Sequence, residues 1–143
     1  MLIYSDSALF FEYILQFYVR IPDNIDKHKK MPGKLSLLPI IMNAQIFENI
    51  RTLKRRLLPN DRMILFGSQA RGDARPDSDW DLLLLLDKPQ KEESDEDKAY
   101  EFVLMGWKYG AYLSIKLYTE NDWEKRKYSP FYENVVNDGI EIK

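Results

Sequence analysis

Apolar positions along the chain change period several times, and each change marks an element. Leu9, Tyr13, Ile14 and Phe17 recur at helical spacing and predict a short helix over Ser7–Arg20, stopped by Pro22. Ile21–Pro39 mixes Pro, Gly, Lys and Asn without a period and reads as a linker. The helical period returns after Met42. Ile46, Ile50, Leu53 and Leu57 make one stripe, with Asn43 placed to cap it and Pro59-Asn60-Asp61 to end it. Two short apolar runs follow, Met63–Phe66 (MILF) and Asp81–Leu86 (DLLLLL). Their length and lack of polar alternation suit strands covered on both faces. Between them, Gly67–Ser78 is a turn-rich, charged loop.

Beyond the second run, Asp87–Asp97 is charged and predicts a solvated surface loop. Tyr100, Val103, Leu104 and Trp107 form a further helical stripe, ended by Gly106 or Gly110. Tyr112–Tyr118 alternates Leu113, Ile115 and Leu117 against Ser114, Lys116 and Tyr118, the pattern of a strand with one wet face. Asn121 or Asp122 starts a short helix. Ser129-Pro130 supplies an N-cap and first position for a last one, and Gly139 suits its end. The order predicts an α+β (or α/β) domain: a small mixed β-sheet with helices packed on it.

Composition removes several chemistries. The 143 residues include no Cys and one His (His28), which excludes disulfides, zinc-thiolate sites, Cys nucleophiles and multi-histidine metal sites. A net charge of −2, from 21 basic and 23 acidic residues, leaves no electrostatic footprint for nucleic acid. The apolar stretch Ala8–Val19 is too short to span a bilayer and is interrupted by Glu12 and Gln16. No positive charge precedes it and no small-residue cleavage site follows it, so a cytoplasmic protein without membrane attachment is expected.

The chemistry is concentrated in Phe66–Asp87, FGSQARGDARPDSDWDLLLLLD. Gly67 follows a strand directly and lets the chain turn sharply and a ligand approach closely. Ser68 begins what reads as a short helix, Ser68–Arg71, whose first N–H groups and hydroxyl suit a phosphate. Arg71 and Arg75 are close enough in sequence to pair with phosphate oxygens. In a strand, Asp79 and Asp81 point to the same side. Two carboxylates so close repel unless a cation sits between them, and hard oxygen ligands suit Mg²⁺ with substrate phosphates. Taken singly, a Gly-Ser after a strand is usually a turn and an Asp-x-Asp is usually solvated surface.

Together they make a long compound pattern: Gly67-Ser68, ten residues, then Asp79-Trp80-Asp81 at the head of an apolar strand. This resembles the signature of the DNA polymerase β-like nucleotidyltransferases in their minimal form, and Ala70-Arg71-Gly72 and Ser78-Asp79 match its usual filling. The resemblance runs from Asn43 to the C-terminus and is specific for the superfamily rather than for a substrate. The ten-residue spacer is that of MntA-type antitoxins, which transfer AMP from ATP to a tyrosine of a HEPN toxin partner. The resemblance implies that Gly67 and Ser68 hold the nucleoside triphosphate and that Asp79 and Asp81 hold Mg²⁺ and are the catalytic carboxylates; Arg71 and Arg75 join the nucleotide-binding set by proximity in sequence.

The superfamily usually draws a third carboxylate from the next core strand. Here that strand, Ala111–Tyr118, has no Asp or Glu; Tyr112, Ser114 and Lys116 share its polar face, and Glu101 and Glu120 do not match the motif. Two rival functions stay open: a degenerate module that neutralises a partner by contact, and nucleotide transfer to a small molecule or RNA.

Other features have plain readings. Trp107, Trp123 and Phe131 are expected in the core or an interface, Lys54-Arg55-Arg56 on a solvated helix face, and the acidic run Glu92–Asp97 in a solvated loop rather than a metal site. His28 has no assigned role. Residues 42–143 are expected to form the nucleotidyltransferase domain. Residues 1–41 are expected to be an N-terminal extension or linker, either a start assigned too far upstream or a real segment that docks its apolar stripe.

Overall fold

The structure, a computed structural model, describes residues 34–143, with side chains from Met42 onward. The helix expected over Ser7–Arg20, most of the linker and His28 lie outside the described residues. The elements are α1 (Lys34–Leu57), β1 (Arg62–Phe66), α2 (Gly67–Arg71), β2 (Trp80–Leu86), α3 (Glu93–Lys108), β3 (Leu113–Thr119), α4 (Glu120–Glu124), α5 (Pro130–Asp138) and β4 (Ile140–Ile142). The four strands form one sheet in the order β3-β2-β1-β4. β1 pairs antiparallel with β2 and β4, and β2 pairs parallel with β3. The sheet is therefore mixed, as expected.

The leucine run of β2 explains the layering. Leu82 through Leu86 are all fully buried, so this strand is covered on both faces. Successive side chains alternate between faces. Leu82, Leu84 and Leu86, with Met63, Leu65 and Trp80, meet Ile46, Phe47, Ile50 and Leu53 of α1 and Phe102 of α3. Leu83 and Leu85 meet Ile64, Phe66 and Tyr118, and with them Trp123 of α4 and Phe131, Tyr132 and Val135 of α5. Trp123 stacks on Tyr132 at 4.8 Å and meets Phe131 edge-on at 5.5 Å, which places Trp123 and Phe131 in the core as expected. A leucine buried in this way contributes about 1.5–3 kcal/mol.

Several boundaries differ from the sequence reading. α1 begins at Lys34, so Asn43 is an interior residue rather than the N-cap. An Asn can cap a helix but does not compel a start when helix formers such as Leu37 and Leu38 precede it. Lys54 is buried, whereas Arg55 and Arg56 are exposed; the basic triplet straddles the edge of the packed face. Gly106 does not end α3. It is buried against β3, where any Cβ would overlap Leu113 Cδ1 and the Ala111 carbonyl. That close approach turns the larger stripe outward, so Tyr100, Leu104 and Trp107 are exposed while Ala99 and Phe102 face the sheet. β4 is too short to show a period.

The acidic run Glu92–Asp97 is likewise not a loop. Glu92 and Asp95 close a capping box at the start of α3. The Asp95 carboxylate, almost fully buried, accepts hydrogen bonds from the Glu92 N–H and from Lys88 Nζ, both at 2.9 Å. Burial by itself would raise its pKa, but the Lys88 and Glu92 hydrogen bonds outweigh that and hold it below the ordinary carboxylate value. Asp95→Ala is therefore expected to cost about 2–4 kcal/mol at neutral pH, since it removes a cap and leaves Lys88 without its buried partner. A depressed carboxyl pKa stabilises the fold above the unfolded-state value of about 3.9 and ceases to do so as pH falls through the lower folded value. Thermal melts of wild type and Asp95→Ala should thus converge in strong acid.

Candidate active site

The end of β1 and the start of β2 meet because their antiparallel register pairs Phe66 with Asp81. Gly67, the next residue, takes φ +73°, a conformation that L side chains rarely adopt. Its missing side chain is as important as its torsion. A Cβ at position 67 would overlap Oδ2 of Asp81, so the carboxylate occupies the space that glycine leaves. α2 starts at once, entered from Phe66, and no side chain caps it. Phe66 thus offers the first turn of α2 no side-chain acceptor. Ser68 lies in this turn, and its carbonyl accepts the Gly72 and Asp73 N–H groups that close the far end.

Two interactions fix the loop after α2. Gln69 is buried and its Nε2 donates to the Ser78 carbonyl at 3.3 Å. The Arg75 N–H donates to Ser78 Oγ at 2.8 Å. Together with the Trp80 N–H bond to the Tyr112 carbonyl at 2.8 Å, they lead the chain back to β2 beside the Gly67 turn. Sequence reasoning missed Gln69; an amide flanked by Ser68 and Ala70 carries no signal that it will be turned inward.

Asp79 lies just ahead of β2 and is exposed, whereas Asp81 is within the strand and half-buried. The Asp81 carboxyl is pushed above its ordinary value, first by burial and then by the negative charge of Asp79; Lys116 and Arg71 act in the opposite sense. The two carboxylates are therefore close enough to repel. That donor set, two hard carboxylates with excess negative charge, fits a divalent cation. Among the described residues no three His, Asp or Glu side chains gather into a metal cage, and Ser114 stands opposite Asp81 on β3.

The predicted phosphate ligands are not all equally placed. Gly67, Ser68 and Asp81 come together at the β1–α2 turn, with Asp79 beside them. Arg71 ends α2, where its guanidinium contacts Asp73 at 3.3 Å and Asp138 at 3.4 Å. Arg75 lies farther out, on the rim of an open hollow of about 570 Å³ that also includes Ser78, Trp80 and Tyr112.

The sequence profile of the nucleotidyltransferase domain matches residues 45–141. The chain belongs to this family. The match takes in every element from the body of α1 to β4, and so the Gly67 turn, Asp79 and Asp81. No curated protein matches the sequence. Among solved structures, a toxin–antitoxin complex with AMP-PNP is 19% identical, with a TM-score of 0.48, over 68% of this chain and 72% of that one. A candidate nucleotidyltransferase from Sulfolobus solfataricus is 17% identical, with a TM-score of 0.49, over 80% and 89%. A mutant of the toxin–antitoxin MntA–HpeT is 16% identical, with a TM-score of 0.46, over 68% and 72%. At this distance, membership of the nucleotidyltransferase family rests on the sequence match. No helix among the described residues is long and apolar enough to cross a membrane.

Proposed function

We propose that this nucleotidyltransferase uses Mg-ATP to transfer AMP to a hydroxyl on a HEPN-type toxin partner and so acts as an antitoxin in the cytoplasm. The observation that carries the nucleotide part is the contact of Asp81 with the side-chain-free Gly67. It sets a carboxylate against the sharp turn that opens α2, the juxtaposition a metal-bound phosphate requires. The antitoxin part rests on the ten-residue spacer between Gly67-Ser68 and Asp79.

In this reading Asp79 and Asp81 hold the divalent ion, which when bound neutralises phosphate charge at the reacting centre. The Gly67 backbone and the N–H groups and hydroxyl of the α2 turn hold the outer phosphates. Arg75 approaches from the loop, and Arg71 does so by giving up Asp73 or Asp138. The acceptor hydroxyl attacks the α-phosphorus, the bond to pyrophosphate breaks, and the hydroxyl proton passes to solvent water. The residues act chiefly by positioning and by offsetting charge. Ser68→Ala is expected to weaken triphosphate binding by about 1–3 kcal/mol, the range for one hydrogen bond to a charged group, in calorimetric titration with ATP and Mg²⁺.

A second reading has its own support. With Ser114 opposite Asp81 and no acidic residue on β3, that strand supplies no carboxylate to accept the hydroxyl proton, which favours neutralisation by contact alone. Incubation of the protein with a HEPN partner, Mg²⁺ and α-labelled ATP separates the two. Label on the partner with release of pyrophosphate is the expected result, absent in Asp79→Ala/Asp81→Ala. Toxin neutralisation by that double variant, without label, would overturn the transfer reading.

A further inference from the structure

Lys116 stands on β3, one strand over from the carboxylates. The parallel register sets Ser114 opposite Asp81 and Lys116 opposite Leu83, so residues 81, 83, 114 and 116 share one face of the sheet. β3 is an outer strand, and Lys116 is exposed along it, with a long side chain free to swing toward either end. It stands one strand over from Asp81 and two positions along the same face, and among the described residues it forms no ion pair within 4 Å. Arg71, the cation at the end of α2, is already engaged by Asp73 and Asp138.

The charge balance of the site makes this cation useful. A triphosphate carries more negative charge than one divalent ion cancels, and both carboxylates add to it. We infer that Lys116 is a triphosphate-facing cation of this site, turned toward Asp81 when the site is empty and toward phosphate oxygens when the metal–nucleotide complex is bound. The inference rests on the nucleotide-binding part of the proposed function. It gives Lys116 opposite effects on two ligands: in the empty site it competes with a divalent ion for Asp81, and in the filled site it attracts the nucleotide. A residue that merely supported β3 would not separate them.

Calorimetric titration of the full chain with Mn²⁺ alone, and separately with ATP and Mg²⁺, tests this. Lys116→Met is expected to bind Mn²⁺ about threefold more tightly and Mg-ATP about fivefold more weakly, the order expected when one nearby charge is removed. Lys116→Arg keeps the charge and is expected to retain Mg-ATP binding within about twofold. Unchanged affinities in Lys116→Met, shifts of the same sign for both ligands, or a Lys116→Arg variant as impaired as Lys116→Met would each overturn the role of Lys116. Wild type that binds no Mg-ATP would instead overturn the nucleotide reading, and this inference with it.

Discussion

Gly67→Val is expected to abolish nucleotide binding and to lower the melting temperature. Two costs combine at this position. A β-branched residue at φ +73° is strained, by about 1–2 kcal/mol even for an ordinary L residue. Its Cβ would also overlap the Asp81 carboxylate, and overpacking of this kind typically costs about 1–3 kcal/mol. Asp81 has little room to retreat because its strand neighbours Trp80 and Leu82 are locked in the core. The predicted lesion is therefore specific: the substitution displaces a proposed metal ligand and fills the turn that would receive phosphate. Calorimetry with ATP and Mg²⁺ measures the first effect and thermal melting the second. Normal ATP affinity in Gly67→Val would place the phosphate site elsewhere.

Asp81→Asn and Asp79→Asn are expected to do the reverse to the apo protein. Each should lose Mg²⁺-dependent ATP binding while melting no lower than wild type. The sign follows from the raised pKa of Asp81. A carboxyl whose folded value lies above its unfolded value costs stability at any pH above both, and this cost disappears as pH falls below the unfolded value. Without metal, Asp81→Asn should therefore match or exceed wild type at neutral pH, and any advantage should shrink as the solution is acidified toward the ordinary carboxylate range. Added Mg²⁺ should raise the melting temperature of wild type and leave both variants unmoved. Unchanged Mg-ATP affinity in both would remove these residues from the metal site. A large loss of apo stability would mean that Asp81 is a structural acceptor instead.

The compound spacing from Gly67 to Asp81 was legible because its causes are local. A glycine directly after an apolar run must turn, and carboxylates at the head of another apolar run must stand near the end of a strand. The same holds for β2, whose unbroken leucines can only be buried on both faces, and for the cap of α5, where the Ser129 hydroxyl accepts the Tyr132 N–H at 3.2 Å. These features depend on neighbours a few residues apart, so order along the chain was enough to determine them.

Other features depended on what packs against what. The stripe Tyr100, Leu104 and Trp107 has the period of a buried face, yet it faces out, because Gly106 permits a closer approach to β3 on the other side of the helix. Asp95 has the composition of a solvated loop, yet it is buried, because Lys88, seven residues earlier, reaches it. β4 exists because Met63, Ile64 and Leu65 offer it an edge, not because three residues prefer extension. At the candidate site, sequence nominated Arg71 and Arg75 as phosphate ligands on proximity alone. Tertiary structure gave Arg71 two carboxylate partners and brought Lys116, 35 positions beyond Asp81 in the chain, to the same sheet face through the β2–β3 register. Local preference decides which segments become helix, strand or turn. Only the pairing of strands and the closeness of their packing decide which charges share a site.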